Sequence, residues 1–212
     1  MSSVERFAAR IGGIMLTPKD SFLKVAKEDV TILEPIFLSC ILVAINAVLF
    51  SSSIIRLISL ISAFYPAIGT ILYKPILGGI IGISLLVSSV VGVLIQGSVV
   101  AAIMHLFAKA LDGEGSFSSI LRVSFYSYLP YSLLVIPLSI GLIFPIVGIL
   151  LYSLLFLLIF IWQLYIAYSG IKSVYNLSSS KAFIVLLSPV ILVVATIFLL
   201  PILLMPITGV ML

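Results

Sequence analysis

Apolar and polar positions along this chain alternate on the scale of whole helices. Uncharged stretches cover residues 35–55, 57–73, 75–108, 123–171 and 182–212. Crossing a hydrocarbon core about 30 Å thick takes roughly 20 apolar residues as helix. The pattern predicts an all-α polytopic membrane protein. Its first span is expected at about 35–55 and its second at about 80–108. The long run 123–171 has room for two helices, about 118–140 and 145–171, with a turn marked by Gly141, Pro145 and Gly148. The last span, about 182–208, is entered through Ser178, Ser179 and Ser180 as capping residues.

Residues 54–72 decide the count. Read as a span they give six crossings; read as an interfacial segment they give five. Lysine and arginine placement arbitrates. With five spans and a cytoplasmic N-terminus, nine basic residues lie inside: Arg6, Arg10, Lys19, Lys24, Lys27, Lys109, Arg122, Lys172 and Lys181. Only Arg56 and Lys74 lie outside. Six spans split the same residues six to five, which is no bias. The expected architecture is therefore five spans in residues 31–212, with an external C-terminus. Residues 56–74 form an external interfacial segment. Ser52, Arg56, Ser59 and Ser62 make a loose polar row there at helical spacing. A simple continuation of the first span fits the same residues.

Residues 1–30 predict a cytoplasmic amphipathic segment. Val4, Phe7, Ala8, Ile11 and Met15 recur at helical spacing. Thr17-Pro18 then restarts a helix, threonine as cap and proline at the first helical position. Phe22, Val25 and Ala26 face the membrane or the bundle, and Lys19, Lys24 and Lys27 face water or anionic headgroups. Glu5 and the missing early apolar run argue against a cleavable signal peptide, so the first span is expected to direct insertion.

Composition narrows the chemistry. Of 212 residues, 63% are apolar and 8% charged, against about 25% charged in soluble domains. One cysteine, Cys40, excludes an intrachain disulfide or a thiolate metal cluster. One histidine, His105, has no nucleophile elbow or zinc motif near it. No aspartate or glutamate falls inside an expected span, which argues against ion-coupled transport.

The most distinctive stretch runs from His105 to Pro137, HLFAKALDGEGSFSSILRVSFYSYLPYSLLVIP. A helix ends in His-Leu-Phe-Ala. A turn follows at Asp112-Gly113-Glu114-Gly115, then Ser116-Phe117, then a Tyr-Ser-x-x-Pro element from Tyr126 to Pro130. This resembles the Yip family of membrane proteins, the Ypt/Rab-interacting proteins and their prokaryotic relatives. Thr17-Pro18 with Ser21-Phe22 and Glu28 resembles the family's element before the first span. Gly170-Ile171-Lys172 through Lys181-Ala182 resembles its last cytoplasmic loop. The resemblance implies five spans with a cytoplasmic N-terminus. In eukaryotic relatives it implies binding of prenylated GTPases and a role in vesicle traffic. Here the acidic-Leu-aromatic-Gly-Pro element is reduced to Glu34-Pro35 and the N-terminal domain is nearly missing. GTPase binding is therefore not carried over, and the chain looks like a prokaryotic, archaeal-type member.

Three sets of residues are candidates for function. Lys109, Asp112, Glu114, Arg122, Lys172 and Lys181 would form a cytoplasmic interaction face. Asn46, Gln96, His105, Tyr126, Tyr131 and Gln163 are polar groups inside expected spans, able to glue helices or line a polar path. His105 and Lys109 share a helix face, as a relay or anion site or as cations at a helix end, before a glycine turn that needs positive φ. Gly78, Gly82, Ser84, Ser88, Gly92 and Gly97 form a small-residue stripe, which suggests the second span as bundle centre or dimer face. The expectation is a non-enzymatic, cofactor-free protein of the cell membrane that organises membrane or binds a protein. A small channel or facilitator is the alternative. Expected partners are the bilayer, a cytoplasmic protein and a second copy; nucleic acid is not among them.

Overall fold

The computed structural model describes residues 3–27, 30–65 and 75–204, and side-chain surroundings within 4–25, 30–65 and 79–199. Two short helices, α1 (Ser3–Leu16) and α2 (Pro18–Lys27), precede the long α3 (Leu33–Phe64) and α4 (Pro75–Ala110). The third span is broken: α5 (Phe117–Tyr126), a 3₁₀ stretch (Leu129–Leu134) and α6 (Val135–Gly141). Helices α7 (Pro145–Tyr175) and α8 (Ser179–Leu204) complete the bundle. Five segments are long and apolar enough to cross a membrane: Leu33–Phe64, Gly79–Ala110, Phe117–Gly141, Pro145–Tyr175 and Ser179–Leu199. The chain is an all-α integral membrane protein.

Helix α3 runs unbroken to Phe64 and does not stop near residue 55. Ser52, Ser59 and Ser62 each donate to a carbonyl four residues back, so the loose polar row is folded into the helix. At 1.5 Å per residue α3 is about 48 Å long, more than the hydrocarbon core requires. Residues 66–74, the rest of the expected interfacial segment, lie outside the described residues.

The break in the third span has a local cause. Proline has no N–H, so Pro130 and Pro137 cannot bond the carbonyls of Tyr126 and Leu133, and their rings crowd the preceding turn. The chain tightens to 3₁₀ geometry between them. Helix α3 stitches the broken backbone with polar residues spaced by seven, about two turns. Ser39 donates to the Phe125 carbonyl at 2.7 Å, Asn46 to Tyr131 at 3.1 Å and Ser53 to Leu138 at 3.2 Å. Irregular backbone at membrane depth needs such partners, because lipid supplies none.

This broken span is the centre of the bundle. In its most apolar 18-residue window 56% of residues are buried, against 6% for α4. The expectation that the small-residue stripe makes the second span central is therefore corrected. Gly97 does pack closely, since a Cβ there would lie 2.8 Å from the Phe125 ring. A Cβ at Gly82 would meet only Ser51, and one at Gly92 would meet nothing within 4 Å. Ser88 bonds its own helix at the Leu85 carbonyl, and Ser84 is exposed. The surroundings of Gly78 lie outside the described residues.

The main core gathers in the half of the bundle that carries the α1–α2 hairpin. Ile14, Phe22 and Val25 of that hairpin are buried with Phe125, Tyr126, Ile166 and Tyr175. Of the two surroundings expected for Phe22 and Val25, the structure places them in the bundle. Gly13 lets the hairpin close, as a Cβ there would lie 2.6 Å from Ser21 Oγ.

Candidate functional site

The candidate site is the charged end, where α1, α2, the 111–116 turn and the 176–178 turn meet the ends of the spans. Three polar clusters hold it together.

The first locks the N-terminal hairpin to the spans. Arg10 Nη1 lies 2.7 Å from both carboxylate oxygens of Glu34, and the Tyr126 hydroxyl donates to Glu34 Oε1 at 2.7 Å. Glu34 stands in the first turn of α3, where the helix dipole favours an acid. Tyr126 is fully buried at the end of α5. Burial disfavours the Arg10 charge, but its contacts with Tyr126 and Glu34 outweigh that and raise its pKa above the ordinary value. Two further bonds hold the hairpin: Trp162 Nε1 donates to the Met15 carbonyl at 3.2 Å, and Arg122 to the Val25 carbonyl at 3.3 Å.

The second cluster centres on Tyr175. Its hydroxyl lies 2.5 Å from His105 Nδ1 and donates to the Ser116 carbonyl at 3.2 Å. Its ring packs on Gly113 and Gly115, where an added Cβ would fall 2.8 and 2.9 Å away. This gives the glycine turn a different cause from the expected one. The left-handed residue is Asp112, with φ 64°, and the glycines make room for the ring.

The third cluster ties the two turns together. Lys181 Nζ donates to the Leu111 carbonyl at 2.9 Å and lies 3.3 Å from Asp112. Lys109, in the last turn of α4, donates to the Gly113 carbonyl of the turn at 3.1 Å. Lys172 donates to Ser179 Oγ at 2.7 Å, and the Glu114 N–H donates to the Tyr175 carbonyl at 3.2 Å. Asn176, with φ 53°, ends α7 in the left-handed region that asparagine tolerates.

The six residues expected on the interaction face thus all stand at this end, and most spend their polar groups closing turns. His105 and Lys109, four apart, serve different partners. The six intramembrane polar residues separate. Gln96, Tyr131 and Gln163 line one cavity beside the broken span. Asn46 sits behind it on the Tyr131 carbonyl, Tyr126 joins Arg10 and Glu34, and His105 joins Tyr175. Among the described residues, no three His, Cys, Asp or Glu side chains stand together as a metal set. The reading of the chain did not pair Glu34 with Arg10, or Ser39 and Ser53 with Asn46. The seven-residue spacing of 39, 46 and 53 inside an apolar run was the available signal for the seam.

Residues 12–200 match the Yip1 domain. An uncharacterized protein of Methanocaldococcus jannaschii is 28% identical over 119 residues, which cover 55% of this chain and 76% of that one. No solved structure matches the chain.

Proposed function

This chain belongs to the Yip1 domain family, and we propose that it is a non-enzymatic scaffold that organises membrane or docks a protein at its charged end. The observation that carries this reading is the rigid platform there. Arg10, Glu34 and Tyr126 clamp α1–α2 onto the spans, and Lys181 and Asp112 join the two turns. Arg6, Lys19, Asp20 and Lys24 remain exposed on the hairpin. Lys181 and the Arg10–Glu34 pair are spent on holding the platform; Arg6, Lys19, Asp20 and Lys24 stand where they can meet a headgroup or a protein. The lysine and arginine bias supports a cytoplasmic placement of this end.

Reconstitution tests the reading. Vesicles carrying the protein at high density are imaged for clustering or deformation, and glycerol and urea flux are measured in parallel. The expected result is altered shape or clustering, with flux equal to protein-free vesicles. Solute flux that falls when Asn46 or Gln96 is changed to Leu would overturn the scaffold reading in favour of a facilitator. Labelling of single cysteines at Ser118 and Ser179 from the cytoplasmic side, in a Cys40→Ser background, checks the orientation.

A further inference from the structure

At membrane depth one set of polar side chains has no hydrogen-bond partner among the described residues, and Asn46 Oδ1, buried behind it, has none either. A cavity of about 270 Å³ lies between α4, the break in the third span, α7 and α8. Gln96 of α4 and Gln163 of α7 line it, each about 20 Å along its helix from the charged end. That depth is inside a hydrocarbon core about 30 Å thick. Tyr128 and Tyr131 line it from the 3₁₀ break. The side chains of these four residues hydrogen-bond no described residue. Neighbouring Ser124 and Ser127 differ, their hydroxyls being spent on the carbonyls of Gly97 and Ser124.

Two amides and two phenols without protein partners are costly in hydrocarbon. They are also a recognition surface, since an amide and a phenol can each donate and accept. No charged side chain and no histidine is among the described residues that line the cavity. An ionic group would enter with nothing to pair it. The mouth faces outward: Val190, Phe160 and Leu164 on its rim are 60%, 42% and 39% exposed along membrane-spanning helices, and Gln96 is exposed as well. The floor is closed by Val123 and Ala167. Entry is therefore sideways from the bilayer. The volume is at the small end for a ligand pocket and suits a headgroup better than a whole lipid.

We propose that this cavity binds the uncharged, hydroxyl-bearing head of an amphiphile, with the tail leaving between α7 and α8 into the bilayer. The 3₁₀ break gives the site one wall, since Tyr128 just before it and Tyr131 within it both line the cavity. The proposal does not rest on the scaffold reading. Flux and vesicle shape test that one; headgroup-dependent binding tests this one.

The probe is a diacylglycerol with a photoreactive diazirine in one acyl chain, added to the purified full chain in nanodiscs. Two comparators carry the same chain, one as a methyl ester without a hydroxyl and one as phosphatidylglycerol. The expected result is labelling of the peptides around 160–164 and 186–190 by the diacylglycerol, competed by its unlabelled form, with both comparators at background. Changing Gln96 and Gln163 together to Leu should cut labelling about tenfold, the loss of roughly two ordinary hydrogen bonds. Val190→Trp alters an exposed side chain and should block the mouth while leaving the melting temperature unchanged. Equal labelling by the methyl ester would mean tail contact alone and overturn the proposal. So would stronger labelling by phosphatidylglycerol, or labelling that survives both variants.

Discussion

The second and third spans invert the usual relation between apolarity and burial. Helix α4 is strongly apolar and carries the stripe of small residues, yet its most apolar window is only 6% buried. The third span is the least apolar of the five and is broken by two prolines, yet it is 56% buried and lies at the centre. In water the apolar helix would be inside. In lipid, apolar side chains gain little by leaving the tails, so association is driven by packing and by polar groups that need partners. The broken span offers backbone carbonyls to its neighbours, and Ser39, Asn46 and Ser53 of α3 bond three of them. Position in this bundle follows polar contacts to irregular backbone more than hydropathy.

The strongest way to break the comparison is at a glycine where the third span meets the fourth. A Cβ at Gly148 would fall on the Gly141 backbone, which cannot move aside as a side chain would. Gly148→Val is expected to destabilise the protein by about 3 kcal/mol or more, read as loss of monodisperse yield and a lower melting temperature in detergent. A smaller effect is expected at the clamp. Glu34→Ala removes the Arg10–Glu34 pairing and leaves the buried Tyr126 hydroxyl without its acceptor, at about 2 kcal/mol. Limited proteolysis should then cut between α1 and α3 in the variant before it cuts the unaltered chain. Smaller again is Asn46→Leu, which removes the α3 bond to the Tyr131 carbonyl. Intramembrane bonds of this kind average about 0.6 kcal/mol and reach about 1.7, so a drop of a few degrees in melting temperature is expected. No change at all would mean that the seam is incidental to the central place of the third span.

Much of the architecture was legible because a bilayer makes the pattern coarse. Helical spans follow from run length, their number from lysine and arginine placement, and the family from the His105–Pro137 stretch. The site was less legible, for physical reasons. Charged residues at helix ends look alike in sequence whether they face a partner or close a turn; Lys109 and Lys181 close turns. Glycine in a turn has two uses, and Asp112 takes the positive φ that would explain one of them, leaving Gly113 and Gly115 for the Tyr175 ring. Polar residues within spans cannot be sorted by depth alone. Tyr126 and Tyr131 are five apart, and the 3₁₀ break sends one to Glu34 and the other to the cavity. Hydropathy carries no term for the bonds that Ser39, Asn46 and Ser53 make to the broken backbone, so the central span could not be picked by it.

The smallest predicted effect bears on what the α4 stripe is for. Glycine inside a helix costs roughly 0.5–1 kcal/mol relative to alanine. That cost is tolerated where a neighbour packs closely, as the Phe125 ring of α5 does on Gly97. At Gly92 nothing lies within 4 Å of an added Cβ. Within a single chain, Gly92→Ala should therefore raise stability by about 0.5 kcal/mol, and Gly92→Leu should do no harm. Melting temperature across a range of protein-to-detergent ratios is the measurement. A gain that is independent of dilution makes this part of the stripe a lipid-facing surface. A loss with Leu that vanishes on dilution, together with a fall in intermolecular energy transfer between labelled copies, would mean that a second copy packs there. The contrast between the two spans would then belong to the monomer alone, with α4 buried by association and the third span buried by the fold.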